Sequence, residues 1–363
     1  MDSSLNRLLI FCRPGFETEA GRELTDGAAA LGAWGYYVPA EGMGWLQFTL
    51  AGGADAPTLL TQLPLDSLVF VRDWVVVVAD IPLPETDRVG AVLTALREGN
   101  VGAVSGCDRV EVRVSENNAN ADLSRFARKW VAPLSHALRG ASMLGKDGRG
   151  DGADRLELFL VDFTRVLIGV SPVNNRARWP MGIPRLKVSA DAPSRSALKL
   201  EEAWKVLLPE GKALQYLGGG KSAVDLGAAP GGWTWQLVQQ GMTVTAVDNG
   251  PMNRQLMATG MVSHVQADGY LWHPRRAVDW MVCDIVDKPR RTAAMVCDWF
   301  TSQLCRYSVF NLKLPMKQRY EEWLHCRGLL EARLADAPFA VRLRARQLYH
   351  DREEITCFLE RTD

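Results

Sequence analysis

The residues best suited to bind a polar small molecule are four aspartates, each of which ends an apolar stretch. Asp225, Asp248, Asp268 and Asp284 follow successive apolar stretches between residues 223 and 283. A carboxylate in such a place can accept hydrogen bonds from ammonium, hydroxyl or amino groups. A single aspartate there is usually a helix N-cap. Four in succession favour one shared pocket.

The first aspartate opens a glycine-rich run, DLGAAPGGW, which extends from Asp225 to Trp233. Glycines are needed where the backbone turns sharply and where a ligand must approach without a Cβ in the way. The run is not the GxGxxG fingerprint of dinucleotide-binding folds, which would need a glycine in place of Ala229. It also lacks the GK[ST] of a phosphate-binding P-loop. We therefore expect a different nucleotide-type cofactor.

S-adenosylmethionine is a cofactor whose polar groups suit these carboxylates. Asp225 lies near the expected place of the methionine ammonium, Asp248 could accept from ribose hydroxyls, and Asp268 from the adenine amino group. Ser196 could reach the methionine end of the cofactor or could serve only as a helix cap. The candidate cofactor-binding residues are Ser196, Asp225, Gly227, Ala229, Pro230, Gly231, Gly232, Trp233, Asp248, Asp268 and Asp284. No metal site is expected.

Alternating strands and helices position these residues in the second half of the chain. Strands are predicted at residues 223–226, 243–247, 264–266, 278–283, 308–312, 340–348 and 355–359. Such βα units imply a mostly parallel α/β sheet that binds ligands at the carboxyl ends of its strands. A helix with an N-cap at Ser194 is predicted before them, and its apolar face carries Leu200, Ala203, Trp204 and Leu207.

The first half of the chain predicts an α+β arrangement over residues 1–171 that contains no catalytic constellation. Its predicted strands are residues 8–12, 44–50, 69–81 and 109–114, its helices are 17–31, 89–98 and 122–138, and a hairpin joins 156–160 to 165–170. Prolines then interrupt the periodicity. We place a basic, proline-rich linker at residues 172–193 and an α/β domain at residues 194–363.

The predicted linker and the helix after it are basic. Asp191 is the one acid among six cations, which are Arg176, Arg178, Arg185, Lys187, Arg195 and Lys199. A solvated linker and an RNA-contacting element both explain this pattern, and Trp179 beside Arg178 favours RNA. Trp179 and Trp233 are the candidate tryptophans for base stacking. The basic face of the strand at 340–348, which carries Arg342, Arg344 and Arg346, allows the same two interpretations.

Composition limits the remaining classes of function. The chain has 363 residues, 47% of them hydrophobic, and a formal net charge of zero, so two domains are expected and any nucleic-acid contact must be local. Its seven cysteines form no CxxC pair, which argues against a zinc site or a disulfide framework. No apolar run approaches the about 20 residues of a membrane span, and the N-terminal residues lack a signal-peptide core. We expect a cytoplasmic monomer with no membrane partner.

The run SAVDLGAAPGGWT resembles motif I of S-adenosylmethionine-dependent methyltransferases, in the version of the FtsJ-like RNA ribose 2′-O-methyltransferases. SRSALKLEEA (194–203), VCDIVDKP (282–289), NLKLP (311–315) and DREEI (351–355) match the other motifs in order. With CRPGFETEAGREL (12–24), the resemblance is strongest to the RlmM family, which methylates a cytidine ribose in bacterial 23S rRNA. The hairpin LELFLVDFTRVLIGVSP is similar to a THUMP RNA-binding domain.

The resemblance implies a Rossmann-like methyltransferase domain behind a THUMP-like RNA-binding region. The implied partner is 23S ribosomal RNA or a large-subunit assembly intermediate. One segment departs from the wider FtsJ group, because Asp284 is followed by Ile-Val-Asp where many members have a small residue and a proline. The wider group therefore does not predict which surface of this segment faces RNA.

A catalytic tetrad of Lys199, Asp284, Lys313 and Glu354 is also implied by the resemblance, with Lys313 as candidate general base toward a ribose 2′-hydroxyl. A base needs an uncharged amine, which burial and the charge of Lys199 would favour and the two carboxylates would oppose. Lys313 could instead only orient the hydroxyl, or the four residues could form a surface salt-bridge cluster. Glu353 is the alternative to Glu354 as the fourth residue of the tetrad, and the alternation of the following strand favours Glu354.

The same segments argue against related chemistries. Methylation of a base amine usually shows [DN]PP[YFW] after the fourth strand, where this chain has DIVD. Cytosine C5 methylation needs a nucleophilic Pro-Cys pair, which is absent, and Cys283 is predicted to be a core residue. Two alternatives stay open: a methyltransferase acting on a small molecule or protein, and an RNA-binding ribosome-assembly factor with a vestigial cofactor fold.

Overall fold

The structure is a computed structural model that describes residues 5–99, 104, 106–145, 152–335 and 337–362. The chain divides into two compact units, Met1–Gly182 and Ile183–Asp363. The first eleven residues of the predicted linker are anchored in the first unit. The Asn175 side chain donates to the Leu60 and Leu63 carbonyls at 2.6 and 2.8 Å, and the Ala177 amide donates to the Asp73 carboxylate at 3.0 Å. This part of the segment is therefore not a solvated connection.

The first unit contains seven strands and four α-helices whose bounds lie within the described residues. The helices are α1 (Glu17–Ala30), α2 (Ala56–Gln62), α3 (Arg88–Glu98) and α4 (Ala121–Gly140). The strands are β1 (Arg7–Phe11), β2 (Gly35–Ala40), β3 (Trp45–Leu50), β4 (Asp73–Pro82), β5 (Cys107–Val114), β6 (Asp154–Leu160) and β7 (Arg165–Ser171). They form one sheet in the order β2-β3-β1-β4-β7-β6-β5, in which β5 and β6 run parallel.

Helical periodicity explains how α4 covers this sheet. Leu123, Trp130, Leu134 and Leu138 recur at helical spacing and are buried against β5, β6 and β7. The Asn120 side chain caps the helix by accepting from the amides of residues 122 and 123. The predicted hairpin of β6 and β7 is confirmed as an antiparallel pair. Strand β2 and helix α2, which are short, were not predicted.

The second unit alternates strands and helices, as predicted. Its helices are α5 (Ala197–Leu207), α6 (Ala213–Leu217), α7 (Gly232–Gln239), α8 (Arg254–Ala258), α9 (Pro289–Thr301) and α10 (Arg319–Leu334). Its strands are β8 (Ser222–Leu226), β9 (Thr243–Val247), β10 (Val262–Val265), β11 (Val278–Cys283), β12 (Cys305–Lys313), β13 (Ala340–Arg346) and β14 (Glu354–Thr362). Helix α5 begins after Ser196 and not after the predicted cap Ser194.

The sheet of the second unit has the order β10-β9-β8-β11-β12-β14-β13. Five strands, β10 to β12 in this order, are parallel, and β14 pairs antiparallel with both β12 and β13. The chain leaves β8 toward β9 on one side and returns to β11 on the other. This reversal opens a crevice at the carboxyl ends of β8 and β11, where ligands bind in open α/β sheets. The predicted mostly parallel Rossmann-like α/β fold is therefore confirmed.

No described helix has both the length and the apolar character that crossing a bilayer would require.

Candidate active site

Two lysines and two carboxylates meet at the carboxyl edge of the second sheet. Lys313 Nζ lies 2.5 Å from Asp284 Oδ1 and also donates to Glu354. Lys199 Nζ donates to the other oxygen of Glu354 and lies 3.5 Å from Asp284 Oδ2. Each carboxylate therefore bridges both ammonium groups. The structure brings together all four residues of the predicted tetrad.

Strand pairing explains why these four residues meet. Asp284 comes directly after β11, which is parallel to β12, and Lys313 is the last residue of β12. Glu354 begins β14 and is the direct antiparallel partner of Lys313. Lys199 projects from α5, which precedes the sheet. Three strand ends and one helix thus fix four charged groups without the help of a long loop.

The electrostatics of the tetrad favour a protonated Lys313. Burial by itself would lower the pKa of the Lys313 ammonium, but the charges of Asp284 and Glu354 outweigh burial and raise its pKa above the ordinary value. The sequence left this balance open. In the resting protein Lys313 is therefore an ammonium group that donates to two carboxylates.

Glu353 does not belong to the cluster. Its side chain is 43% exposed and forms an ion pair at 2.8 Å with Arg319, whereas the Glu354 side chain is 5% exposed. Successive residues of a strand point to opposite faces, so only one of the two glutamates can face Lys313. The preference for Glu354 over Glu353 agrees with this arrangement.

A chain of buried polar groups that the sequence analysis missed supports Asp284. Asn311 Nδ2 donates to Asp284 Oδ1 at 2.8 Å, and the Thr356 hydroxyl donates to Asn311 Oδ1 at 2.8 Å. Asp351 lies 3.0 Å from that hydroxyl, and burial together with the nearby Glu354 raises its pKa to about 8. A protonated Asp351 can donate to Thr356. The signal was a buried asparagine inside the apolar stretch VFNLKL, two positions before Lys313.

The glycine-rich run encloses a cavity of about 290 Å³ beside the tetrad. Asp284 belongs to both sites, because it lines this cavity and contacts both lysines. The cavity lining is formed by Ser194, Ser196, Asp225, Gly227, Ala228, Ala229, Pro230, Trp233 and Asp284. Asp248, Asp268, Gly231 and Gly232 are predicted cofactor residues that do not line it.

Close backbone approach explains two of the glycines. A Cβ on Gly232 would lie 2.2 Å from Ser196 Oγ and 2.3 Å from Ser194 Oγ, so a larger residue here would displace these hydroxyls from the start of α7. Gly227 has a φ of +78°, and its Cβ would meet Ile285 Cγ1 at 2.6 Å. Ser196 makes no capping hydrogen bond to α5, and its hydroxyl lies 2.6 Å from that of Ser194. The two hydroxyls are thus bonded to each other at the cavity wall, and each keeps a position for a further hydrogen bond.

Asp225 is the buried charge of this cavity. It is 1% exposed and accepts from the Thr234 hydroxyl at 2.6 Å. Burial, together with repulsion from Asp284 and Asp248, raises its pKa to about 7. A cationic ligand beside it would stabilise the ionised form. This is the environment that the ammonium of S-adenosylmethionine fits.

Asp248 and Asp268 follow β9 and β10, as expected, and each organises its own loop. Asp248 accepts from the amide of Ala229 at 3.0 Å and from that of Gly250 at 2.7 Å. Asp268 accepts from the amide of Tyr270 at 2.8 Å. A carboxylate has about four acceptor positions, so these bonds leave room for ribose or amino groups. Roles in cofactor binding stay predictions for both.

Two side chains have clear positions in the core. Trp233 is 3% exposed and its indole N–H donates to the Ser196 carbonyl at 3.0 Å, so the hypothesis that it stacks on RNA bases is wrong. Cys283 is fully buried, and burial raises the pKa of its thiol to about 12, as expected of a core residue. Among the described residues, no group of three His, Cys, Asp or Glu side chains could hold a metal ion.

Several of the predicted RNA-contacting arginines have partners within the chain. Arg176 donates to the carbonyls of residues 153 and 171 at 3.0 and 3.2 Å. Arg342 forms an ion pair with Glu360, and Arg344 donates to the carbonyl of residue 207. Arg178 packs over the ring of Trp179, with 5.3 Å to its centroid. Structural contacts therefore account for part of the basic pattern.

Comparison with known proteins extends over nearly the whole chain. Family profiles match at residues 5–75 (RlmM ferredoxin-like domain), 87–172 (ribosomal RNA large subunit methyltransferase M, N-terminal) and 192–310 (FtsJ-like methyltransferase). Ribosomal RNA large subunit methyltransferase M of Marinobacter nauticus is 62% identical over 99% of this chain and 100% of its own length. The protein of that name from Pseudomonas putida is 45% identical over 99% of both chains.

The first unit agrees with this assignment at the level of topology, because β1 to β4 with α1 and α2 form the βαββαβ order of a ferredoxin-like sheet. The THUMP-like character of the first half stays a prediction. The second unit supplies the cofactor cavity and the adjoining tetrad. The chain therefore belongs to the ribosomal RNA large subunit methyltransferase M (RlmM) family, with an FtsJ-like methyltransferase domain that uses S-adenosylmethionine.

Proposed function

We propose that this protein transfers a methyl group from S-adenosylmethionine to the ribose 2′-hydroxyl of a cytidine in 23S ribosomal RNA. The observation that carries the proposal is the position of Asp284, which lines the cofactor cavity and contacts both lysines of the tetrad. A donor bound in the cavity and an acceptor bound at Lys313 would thus share one carboxylate as neighbour. Relatives named ribosomal RNA large subunit methyltransferase M support the choice of RNA.

The chemical role proposed for this chain is to remove the hydroxyl proton. When bound, S-adenosylmethionine supplies an electrophilic methyl group. The neutral amine of Lys313 accepts the proton as the hydroxyl O–H bond breaks, which is general-base catalysis. Asp284 and Glu354 stabilise the ammonium that forms, because both contact its nitrogen. Lys199 holds Glu354 in place and balances its charge.

Side chains near the cavity are proposed to hold the cofactor. Asp225 binds the methionine ammonium, Asp248 the ribose hydroxyls and Asp268 the adenine amino group. Ser196 and the backbone of Gly227 to Trp233 form the remaining wall, because the missing Cβ atoms leave room for a ligand. These assignments follow from the chemistry of the groups and from their order along the sheet edge.

The first unit is proposed to dock the RNA, as a THUMP-like region would. Trp34, directly before the edge strand β2, and Tyr36, within it, support this, because they are 67% and 60% exposed and lie two positions apart. Exposed aromatic rings at such spacing suit the stacking of unpaired bases. Naked rRNA and a large-subunit assembly intermediate are both compatible with this surface. We propose that the protein works in the cytoplasm as a monomer.

The test is to incubate the protein with labelled S-adenosylmethionine and with rRNA that lacks modifications, and then to map the label. We expect label on one ribose of the large-subunit RNA, at a cytidine. Label on a base, on protein or on a small molecule would refute the proposal. Binding of RNA without any transfer would support an assembly factor with a vestigial cofactor fold instead.

A further inference from the structure

Two apolar side chains stand nearly free in solvent on the two loops that follow the tetrad residues. Val286 is 84% exposed and lies two positions after Asp284, and Met316 is 72% exposed and lies three positions after Lys313. Single exposed apolar side chains are common on protein surfaces. These two differ from such residues because their loops follow two neighbouring strands, β11 and β12, whose ends carry the proposed acceptor site.

Chain geometry keeps both side chains near the tetrad. A chain spans at most about 3.6 Å per residue, so the Val286 Cα lies within about 7 Å of the Asp284 Cα, and the Met316 Cα lies within about 11 Å of the Lys313 Cα. Asp284 and Lys313 are in contact at 2.5 Å. A nucleotide whose ribose reaches Lys313 therefore has both loops within reach of its base or of a neighbouring base.

Each loop also carries a lysine one or two positions after its exposed apolar residue. Lys288 follows Val286 by two positions, and Lys317 follows Met316. Both lysines are exposed, and neither ammonium group forms an ion pair with a carboxylate of the described residues. The neighbouring Asp287 is already paired with Arg291 at 2.5 Å. Each loop thus presents one apolar group and one cation that are free to bind a ligand.

We propose that Val286 and Met316 clamp the base of the target nucleotide between the two loops, while Lys288 and Lys317 bind the flanking phosphates. This inference rests on the proposed function. Single-stranded RNA presents the same alternation of apolar base faces and anionic phosphates that the loops complement. The clamp would also explain why the segment after Asp284 carries Ile-Val-Asp in this chain, since Val286 is its exposed member.

The first experiment compares a Val286→Ser/Met316→Ser protein with the wild type on an rRNA fragment that the wild type methylates. The control is Leu214→Ser, because Leu214 is 83% exposed but lies in α6, which leads into the amino end of β8, whereas the tetrad lies at the carboxyl ends of the strands. We expect the KM for RNA to rise about tenfold or more in the double variant, through lost apolar contact with the base. The control should match the wild type, and the Kd for S-adenosylhomocysteine and the Tm should change in neither.

A second experiment identifies the group that the clamp holds. The same rRNA fragment is prepared with an abasic ribose at the target position. Loss of the base should weaken transfer by the wild type about as much as the double variant does, and the two changes together should cost little more than either alone. If the effects of the abasic ribose and of the double variant multiplied, the clamp would be refuted. A double variant with the wild-type KM would refute it as well.

The lysines are tested by salt dependence. Lys288→Ala and Lys317→Ala should each reduce the slope of log affinity for the fragment against log salt by about 0.7, the value expected for one lost phosphate contact on single-stranded RNA. An unchanged slope would refute the phosphate contacts. If the wild type transfers no methyl to rRNA, the proposed function itself fails, and this outcome is distinct from any result with the loop variants.

Discussion

With Lys313 as the proposed general base, the rate of methyl transfer should rise about tenfold for each pH unit between pH 7 and pH 9, because only the neutral amine can accept the proton. Asp284 and Glu354 overcome the effect of burial and hold the pKa of Lys313 above its ordinary value of 10.5. Three units below that value, at pH 7.5, fewer than about one molecule in a thousand carries the neutral amine. The proposed base is thus a minor species, and the fraction of Lys313 that is neutral rises with pH.

Lys313→Arg is the variant that isolates this effect. An arginine keeps a positive charge between Asp284 and Glu354 but stays protonated at every accessible pH. We expect the variant to lose about 10²- to 10⁴-fold in rate, the usual contribution of general-base catalysis, and to lose the pH dependence as well. The Kd for S-adenosylhomocysteine should stay within a few-fold of the wild-type value.

The assay is single-turnover transfer of labelled methyl to an rRNA fragment, which separates the chemical step from product release. The fold is not expected to change over this range. A raised lysine pKa contributes stability that is complete below the pKa of the unfolded chain and is lost only as pH rises through the still higher folded value. If the wild-type rate did not change with pH and the Lys313→Arg protein were active, the general-base role of Lys313 would be refuted. That result would support a lysine that only orients the hydroxyl.

Gly232→Ala should weaken S-adenosylhomocysteine binding at least about tenfold, because the Cβ would lie 2.2 Å from Ser196 Oγ. The control for this calorimetric measurement is Gly328→Ala, whose Cβ meets nothing within 4 Å. Equal Kd values for the two variants would contradict the role of the missing Cβ at Gly232. Asn311→Leu should lower kcat about ten- to hundredfold, because it removes a hydrogen bond to the Asp284 carboxylate and such a bond contributes about 1.5–3 kcal/mol. A wild-type kcat in the folded variant would exclude a role for Asn311 in positioning Asp284. S-adenosylhomocysteine binding near pH 7 should release protons, because its ammonium lowers the pKa of Asp225 from about 7. Calorimetry in buffers of different ionisation enthalpy measures the release, which Asp225→Asn should abolish.

The sequence predicted the second unit well because its signals are local. Buried parallel strands appear as short apolar stretches, and the strand predictions for β9 and β11 agree with the observed bounds. An acid after such a stretch must lie at the carboxyl edge of the sheet. For this reason Asp284 could be placed at that edge before any strand order was known, whereas its grouping with Lys313 was implied by the family resemblance.

Other features depend on contacts that no local pattern reports. The edge strand β2 was missed because its alternation puts Tyr36 and Val38 in solvent, which is unlike a core strand. Trp233 was a candidate for stacking on RNA bases, yet its indole N–H donates to the backbone carbonyl of Ser196, the residue before α5. Arg176 looked like part of an RNA-binding segment, although backbone carbonyls of the first unit bind it. Each partner is distant in sequence or belongs to the backbone.

The antiparallel register of β14 against β12 decides which carboxylate serves Lys313. Lys313 is paired with Glu354, and Asn311 with Thr356. A shift by one residue would turn every side chain of β14 to the opposite face. It would also leave Asn311 and Thr356 buried without each other, at a cost of about 1–3 kcal/mol for each unsatisfied group. The hydrogen bonds that hold Asp284 therefore also specify the strand pairing that brings Glu354 to the lysines, so the geometry of the tetrad and the register of the sheet are stabilised by the same side chains.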